Sequence, residues 1–393
     1  MAAEPTVARE GTGRTAPASR PGGTHPYFEQ DDEAKALGLF QLLREDGTAE
    51  AQDVARFDAD LCRRLYRGML GIRIMDERLL ALQRQGRIGF YGEARGQEAA
   101  VIGSAAAMEP QDWLIPALRE AGAGIYRGLP LSSYVAQIFG NANDPSRGRQ
   151  MPCHPLDRAT NYVVMSSCVA SQVPHAVGVA WAMKISGARD QVCVGYLGDG
   201  GTSEPDFHVA VNFAGVSQAP VVLVCQNNQW AISTPGGRQT ASPTIAIKGL
   251  GYGVESLRAD GNDVLAVHEV CRYAMDKARR GDGPTFIELL TYRVSAHSSS
   301  DDPARYRDES VTEVWRSRRD PIQRLRTFMD RRGWLAAGEH EALAAELEAE
   351  VRRVVEEQEQ APPPPIESLI EDVFEEPTWL LREQLADHLR NRG

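Results

Sequence analysis

The chain has 393 residues, 42% hydrophobic and 25% charged, with a formal net charge of −11 at pH 7. That is enough for two domains or one large α/β unit, in the composition range of soluble globular proteins. The acidic balance argues against a nucleic-acid surface as the main activity, and no apolar run is long enough to span a bilayer.

Residues 1–24 are rich in Ala, Gly, Pro, Thr and Arg without periodicity and read as a flexible tail. Their Arg, Ala and Thr content suits a transit peptide, but Glu4 and Glu10 count against one. The only lysines are Lys35, Lys184, Lys248 and Lys277, so arginine carries almost all the positive charge. We read that bias as a GC-rich bacterial genome and expect a cytoplasmic chain. The six cysteines form no C-x-x-C pair, and Cys193 and Cys225 sit inside apolar runs, which fits buried free thiols in a reducing compartment.

From about Asp53 to Gln85, Leu61, Leu65, Met69 and Leu80 recur at helical spacing and predict long helices. Residues 99–108 and 169–185 read as tightly packed small-residue helices, the second with Pro174 in its first turns. The centre alternates: strand 191–197, helix 204–217, strand 220–226, helix 262–280 and strand 285–293. Continuous apolar strands separated by helices predict an α/β fold, a doubly wound, mostly parallel sheet with helices on both faces. A charged helix at 338–360 then meets the stiff spacer Pro362–Pro365, followed by a tail apolar enough to dock. The expected organisation is a tail and arm over 1–54, an α/β domain over 55–335, and a C-terminal helix, spacer and tail over 336–393.

Residues 192–204 read VCVGYLGDGGTSE. In a parallel sheet, ligands bind at the carboxyl ends of strands, and Asp199 lies just past one such end. The next strand ends at Gln226-Asn227-Asn228. A carboxylate and an amide oxygen are hard ligands suited to Mg²⁺, which takes its remaining ligands from phosphate and water. Gly200 and Gly201 allow backbone N–H groups to approach a phosphate, and the helix starting near Ser203 adds its positive end. A P-loop is excluded because no lysine follows a glycine, and a Rossmann fingerprint because its third glycine is Ser203. The pieces predict a metal-bridged diphosphate site.

GDGGTSE followed by QNN resembles the thiamin diphosphate motif. The blocks RQGRIGFYGEARGQEAAVIGSAAAM, LREAGAGIYRG, GRQMPCH, MSSCVASQVPHAVG, NNQWAIST and TYRVSAHSSSDDPARYR extend the likeness over about residues 55–330. Together they resemble the alpha subunit of the decarboxylating component of branched-chain 2-oxo acid dehydrogenase complexes. The resemblance implies a thiamin diphosphate-binding fold and oxidative decarboxylation of branched-chain 2-oxo acids such as 3-methyl-2-oxobutanoate. It also implies a partner beta subunit in a heterotetramer, and a lipoyl-bearing acyltransferase that accepts the acyl group.

Residue by residue, the resemblance implies Mg²⁺ on Asp199, Asn228 and the backbone carbonyl of Trp230. Gly200 and Gly201 then bind the diphosphate, and Arg119 the terminal phosphate. Ser167 and Val169 line the aminopyrimidine side. Phe90, with Tyr91 and Val169, forms the substrate wall, and His297 serves phosphate binding and acyl transfer, passing protons if its pKa is near neutral. Ser166, Ser171 and Gln172 match a K⁺ loop of some members, and Ser298 matches a serine phosphorylated in some. Leu118 and Gln226 stand at cofactor-facing positions where the family often has Tyr and Arg, so two phosphate contacts are weakened or supplied from elsewhere. His175 and His208 read as structural. A pyruvate or acetoin dehydrogenase alpha subunit, and a non-catalytic scaffold of the same fold, stay open as alternatives.

Overall fold

The computed structural model describes residues 25–391, so the expected tail at 1–24 lies outside the described residues. Five parallel strands form the main sheet: β1 (Trp113–Ile115), β2 (Cys193–Gly198), β3 (Val221–Asn227), β6 (Glu255–Asp260) and β7 (Thr285–Leu290). Their order is β1-β2-β3-β7-β6. A small antiparallel pair, β4 (Trp230–Ala231) and β5 (Thr234–Pro235), follows β3. Successive strand residues face opposite sides, and the cores divide accordingly. Val194, Tyr196, Val222 and Val224 pack on one face with the helices Ala59–Arg84, Glu98–Ala106 and Val264–Arg279. Cys193, Leu197, Leu223 and Cys225 pack on the other with the helices Gln172–Ser186 and Pro205–Ser217. The doubly wound expectation is met.

Strands β2 and β3 are direct neighbours, joined through the helix Pro205–Ser217, with Gly198 opposite Gln226. Asp199 and Asn228 therefore leave the sheet side by side. The sequence reading missed β1, which is only three residues long, and β6, an edge strand whose Glu255 and Arg258 break the apolar run. It also ran β7 too far. The strand stops at Leu290, and Thr291–Val294 continue as buried extended chain, where Thr291 and Arg293 donate their N–H groups to the carbonyls of Asn227 (2.9 Å) and Asn228 (3.3 Å).

The segment before the first long helix joins the core that holds Val194 and Tyr196 through Tyr27, Phe28, Phe40, Leu43 and Val54, with Phe40 bridging to Ala259 on β6. Leu347, Val351, Val354 and Val355 of the helix Glu339–Glu359 close the core from the C-terminal side. The helix Trp379–Arg390 has no buried residue, and Trp379 is 75% exposed. No described helix is long and apolar enough to cross a membrane. All six cysteines are free thiols; five are buried and Cys168 is exposed.

Candidate active site

Where β2 ends, Asp199–Ser203 wind into one 3₁₀ turn before the helix Pro205–Ser217 begins. The turn puts Asp199 almost wholly out of solvent. Its Oδ2 accepts a hydrogen bond from Gln239 Nε2 at 2.7 Å, whereas Oδ1 is buried without a partner. Burial pushes this carboxyl up to about 6, against the pull of the Gln239 hydrogen bond, the backbone N–H groups of Asp199 and Asn228, and the Arg293 charge. A buried carboxylate oxygen with no donor is costly unless a cation or proton meets it. Gly200 serves a second purpose here, because a Cβ at that position would sit 2.6 Å from Ala231 Cβ.

At the end of β3, Asn228 is buried and held on both sides. Its Nδ2 donates to Gln97 Oε1 at 2.9 Å and its Oδ1 accepts from the Trp230 N–H at 3.2 Å. The Trp230 carbonyl faces Arg293 Nη1 at 3.4 Å, a long contact that leaves lone-pair capacity. Arg293 is fully buried and donates its other terminal nitrogen to Ile232 O and the Tyr306 hydroxyl, each at 2.7 Å. Among the described residues no group of three or more His, Cys, Asp and Glu could hold a metal. The donors gathered here are one carboxylate, one amide oxygen and one carbonyl.

Arg119 is buried and donates to two backbone carbonyls, those of Glu93 and His297, the latter at 2.8 Å. Burial and the nearby Arg293 charge lower it to about 10, so it stays cationic at pH 7. The next residue, Glu120, accepts from the N–H groups of Ala117 (2.8 Å) and Arg119 (3.1 Å), and burial raises its carboxyl to about 7. Gln226 Nε2 donates to that carboxyl. Leu118 packs against the apolar core, and a Cβ added at Gly92 would meet it at 3.5 Å. Leu118 and the Gln226 amide nitrogen are thus engaged with protein, while Gln226 Oε1 is buried without a partner.

His297 has its carbonyl on Arg119, and its N–H donates to Asp301 Oδ2 at 2.8 Å. Burial, with the charges of Arg119 and Arg293, lowers its ring to about 4. The ring is therefore neutral at pH 7 in this chain, unlike the near-neutral titration the sequence reading allowed for. Ser167 Oγ lies 2.6 Å from His154 Nε2 and is exposed, as is Val169 at 60%. Ser166 Oγ accepts from the Cys168 N–H at 3.2 Å, and Ser171 Oγ donates to the Cys168 carbonyl at 2.8 Å. Gln172 gives its amide N–H to the Tyr196 carbonyl at 3.0 Å and keeps Oε1 buried without a partner. Phe90 is half-buried against the core, while Tyr91 is buried with its hydroxyl on Asp76 at 2.6 Å.

The sequence reading gave no role to Gln97, Glu120, Gln239 or Arg293. Gln97 and Arg293 lie inside the quoted blocks, but their partners are distant in sequence and no spacing announces them. Gln239 follows the β4–β5 pair and reaches Asp199 across 40 residues.

The chain matches the family described as Dehydrogenase E1 component over residues 66–367. It belongs to that family. It is 38% identical over 358 residues to 2-oxoisovalerate dehydrogenase subunit alpha 2, mitochondrial, of Arabidopsis thaliana, covering 91% of this chain and 76% of that protein. The corresponding alpha subunit of Dictyostelium discoideum is 38% identical over 359 residues, covering 90% and 81%. That of Mus musculus is 39% identical over 333 residues, covering 84% and 75%. All three are eukaryotic proteins named mitochondrial, which overturns the expectation of a cytoplasmic chain.

Proposed function

We propose that the chain is the alpha subunit of a thiamin diphosphate-dependent 2-oxo acid dehydrogenase of the 3-methyl-2-oxobutanoate type. The observation that carries the reading is the buried, partnerless Oδ1 of Asp199 at the shared mouth of β2 and β3. Its neighbours Asn228 and the Trp230 carbonyl complete an oxygen donor set that suits Mg²⁺. Gly200 and Gly201 flank the position for a diphosphate, with Arg119 as the cation toward its end. The orphaned Oε1 of Gln172, with Ser166 and Ser171 nearby, supports K⁺ in the loop beneath.

When bound, thiamin diphosphate supplies the electron sink for decarboxylation. The chain's own residues hold and orient it. Arg119 offers charge without taking up a proton, since its guanidinium is already protonated at pH 7. His297, neutral and fixed by its own backbone at both ends, can donate or accept a hydrogen bond during acyl transfer to lipoyl. Phe90 supplies an apolar wall, and Ser298, at the position phosphorylated in some members, is buried and lines the same cavity as Tyr91.

Ser167 and Val169 face solvent, which supports a beta subunit covering the aminopyrimidine side in a two-alpha, two-beta tetramer. A lipoyl-bearing acyltransferase then takes the product. The arm over 1–54, cofactor domain over 55–335 and C-terminal portion over 336–393 remain our proposed organisation. The test is to titrate thiamin diphosphate and Mg²⁺ into the chain with and without its beta subunit. The reconstituted tetramer is then assayed on 3-methyl-2-oxobutanoate and on pyruvate. Tight Mg²⁺-dependent binding only with the beta subunit, and preference for the branched acid, is the expected result. Absence of cofactor binding in the tetramer overturns the reading, and a preference for pyruvate moves it to the pyruvate dehydrogenase alpha subunit.

A further inference from the structure

The stretch Phe90–Gly96 has no regular secondary structure, yet Tyr91, Gly92, Glu93 and Ala94 are all buried. Buried backbone polar groups need partners, and here the partners come from outside the stretch. Ser299 clips Tyr91 twice: its N–H donates to the Tyr91 carbonyl at 2.9 Å, and its Oγ accepts from the Tyr91 N–H at 3.0 Å. Arg119 takes the Glu93 carbonyl, the Val294 N–H donates to the Arg95 carbonyl at 3.3 Å, and Thr291 Oγ1 donates to the Gly96 carbonyl at 2.9 Å. These ties come from Arg119 and from the segment 291–299.

Cys153 meets the Gly92 backbone and Tyr134 the Tyr91 side chain, but one residue holds the stretch at two points. Asp76, buried on the helix Ala59–Arg84, accepts from the Tyr91 hydroxyl at 2.6 Å through Oδ1 and from the Ala94 N–H at 2.7 Å through Oδ2. The two oxygens of one carboxyl thus grip the stretch on either side of Gly92-Glu93. Phe90 immediately precedes this grip, and the carbonyl that Arg119 holds lies inside it. Tyr91, Glu93 and Arg95 also line a cavity of ≈ 800 Å³ together with Ser295, Ser298 and Ser299.

We propose that Asp76 is a positioning residue for the substrate wall: by gripping Tyr91 and Ala94 it sets where Phe90 stands and hence which 2-oxo acid side chains fit. Asp76 touches neither substrate nor cofactor and acts through Tyr91. The inference rests on the function proposed above. An amide in place of the carboxyl keeps both contacts, with its oxygen on the Ala94 N–H and its Nδ2 donating to the tyrosine hydroxyl. Loss of either contact frees the stretch on that side.

The test uses the reconstituted tetramer with wild type, Asp76→Asn, Asp76→Ala and Tyr91→Phe. Tyr91→Phe should raise KM for 3-methyl-2-oxobutanoate by about three- to tenfold, the factor one net hydrogen bond is worth. The rise in KM should exceed any fall in kcat, because the change reaches the substrate wall and not the cofactor contacts. The preference for branched over straight-chain acids should fall in the same variant, and Asp76→Asn should keep wild-type values. A merely structural tie would lower Tm without moving KM or that preference. Unchanged KM and preference in Tyr91→Phe overturn the proposal even if Asp76→Ala does not fold. A wild-type tetramer that turns over no 2-oxo acid would instead sink the functional reading. In that case amide hydrogen exchange over residues 88–97 decides: faster exchange in Tyr91→Phe upholds the grip and unchanged exchange refutes it.

Discussion

Gln239 Nε2 holds one oxygen of Asp199 at 2.7 Å, while the other is buried without a side-chain partner. The glutamine thereby fixes which way the carboxylate points before any cation arrives. Asp199→Asn should weaken Mg²⁺-dependent thiamin diphosphate binding in the tetramer by more than about 100-fold, beyond the range seen for outer partners of a metal ligand. The folded chain should keep or gain thermal stability, since an unpaired buried carboxylate is removed. Calorimetric titration together with Tm checks both halves, and unimpaired binding would remove Asp199 from the site.

Gly200 faces a steric limit that the phosphate argument does not need. A methyl group there meets Ala231 Cβ at 2.6 Å, and the neighbour is a short side chain on β4 with no room to swing away. Gly200→Ala should cost about 1–3 kcal/mol of stability, the usual range for overpacking. Cofactor affinity should fall with it, because the displaced turn carries Asp199. Denaturant unfolding and a cofactor titration on the same preparation measure the two effects.

His297→Ala should depress reductive acylation of a lipoyl domain far more than it raises KM for the 2-oxo acid. With its ring lowered to about 4 by burial and two guanidinium charges, the free enzyme's pH–rate profile should show no inflection near 6.5 that the substitution removes. An inflection there that disappears in His297→Ala would contradict the neutral-ring assignment.

His268 lies away from the site on the helix Val264–Arg279, and burial lowers its ring to about 4, with Nδ1 lacking a partner. Its folded pKa is below the unfolded value near 6.5. The unfolded chain therefore takes up the proton first, and this group's contribution to stability is lost as pH falls from about 6.5 toward 4. His268→Gln should narrow the stability difference between pH 7 and pH 5 relative to wild type. Urea unfolding at the two pH values measures it, and identical slopes would refute the assignment.

Much of the fold was legible because its signals are local. The apolar runs at β2 and β3, the helix between them and the Gly-Asp-Gly turn are contiguous, and parallel strands buried on both faces keep such runs uninterrupted. Edge and short elements were not legible: β1 has three residues, and β6 carries charge because one of its sides lies at the rim. The exposure of Cys168 was equally unreadable, since SSCVAS resembles any small-residue turn. At the site, Asp199, Asn228, Arg119 and His297 stood out through motif residues. Gln239, Glu120 and Asp76 did not, because each meets its partners at atoms that no motif or spacing predicts.

The sequence by itself determined the α/β alternation, the family and the identity of the residues that end β2 and β3. Those follow from side-chain chemistry and short-range order. Only the tertiary structure decided that β2 and β3 are neighbours in a register that sets Gly198 opposite Gln226. It also decided that Gln226 donates to Glu120, that His297 is neutral, and that Asp76 grips the stretch beside Phe90. Burial and long-range hydrogen bonds set these states, and both depend on what the folded chain places around a residue.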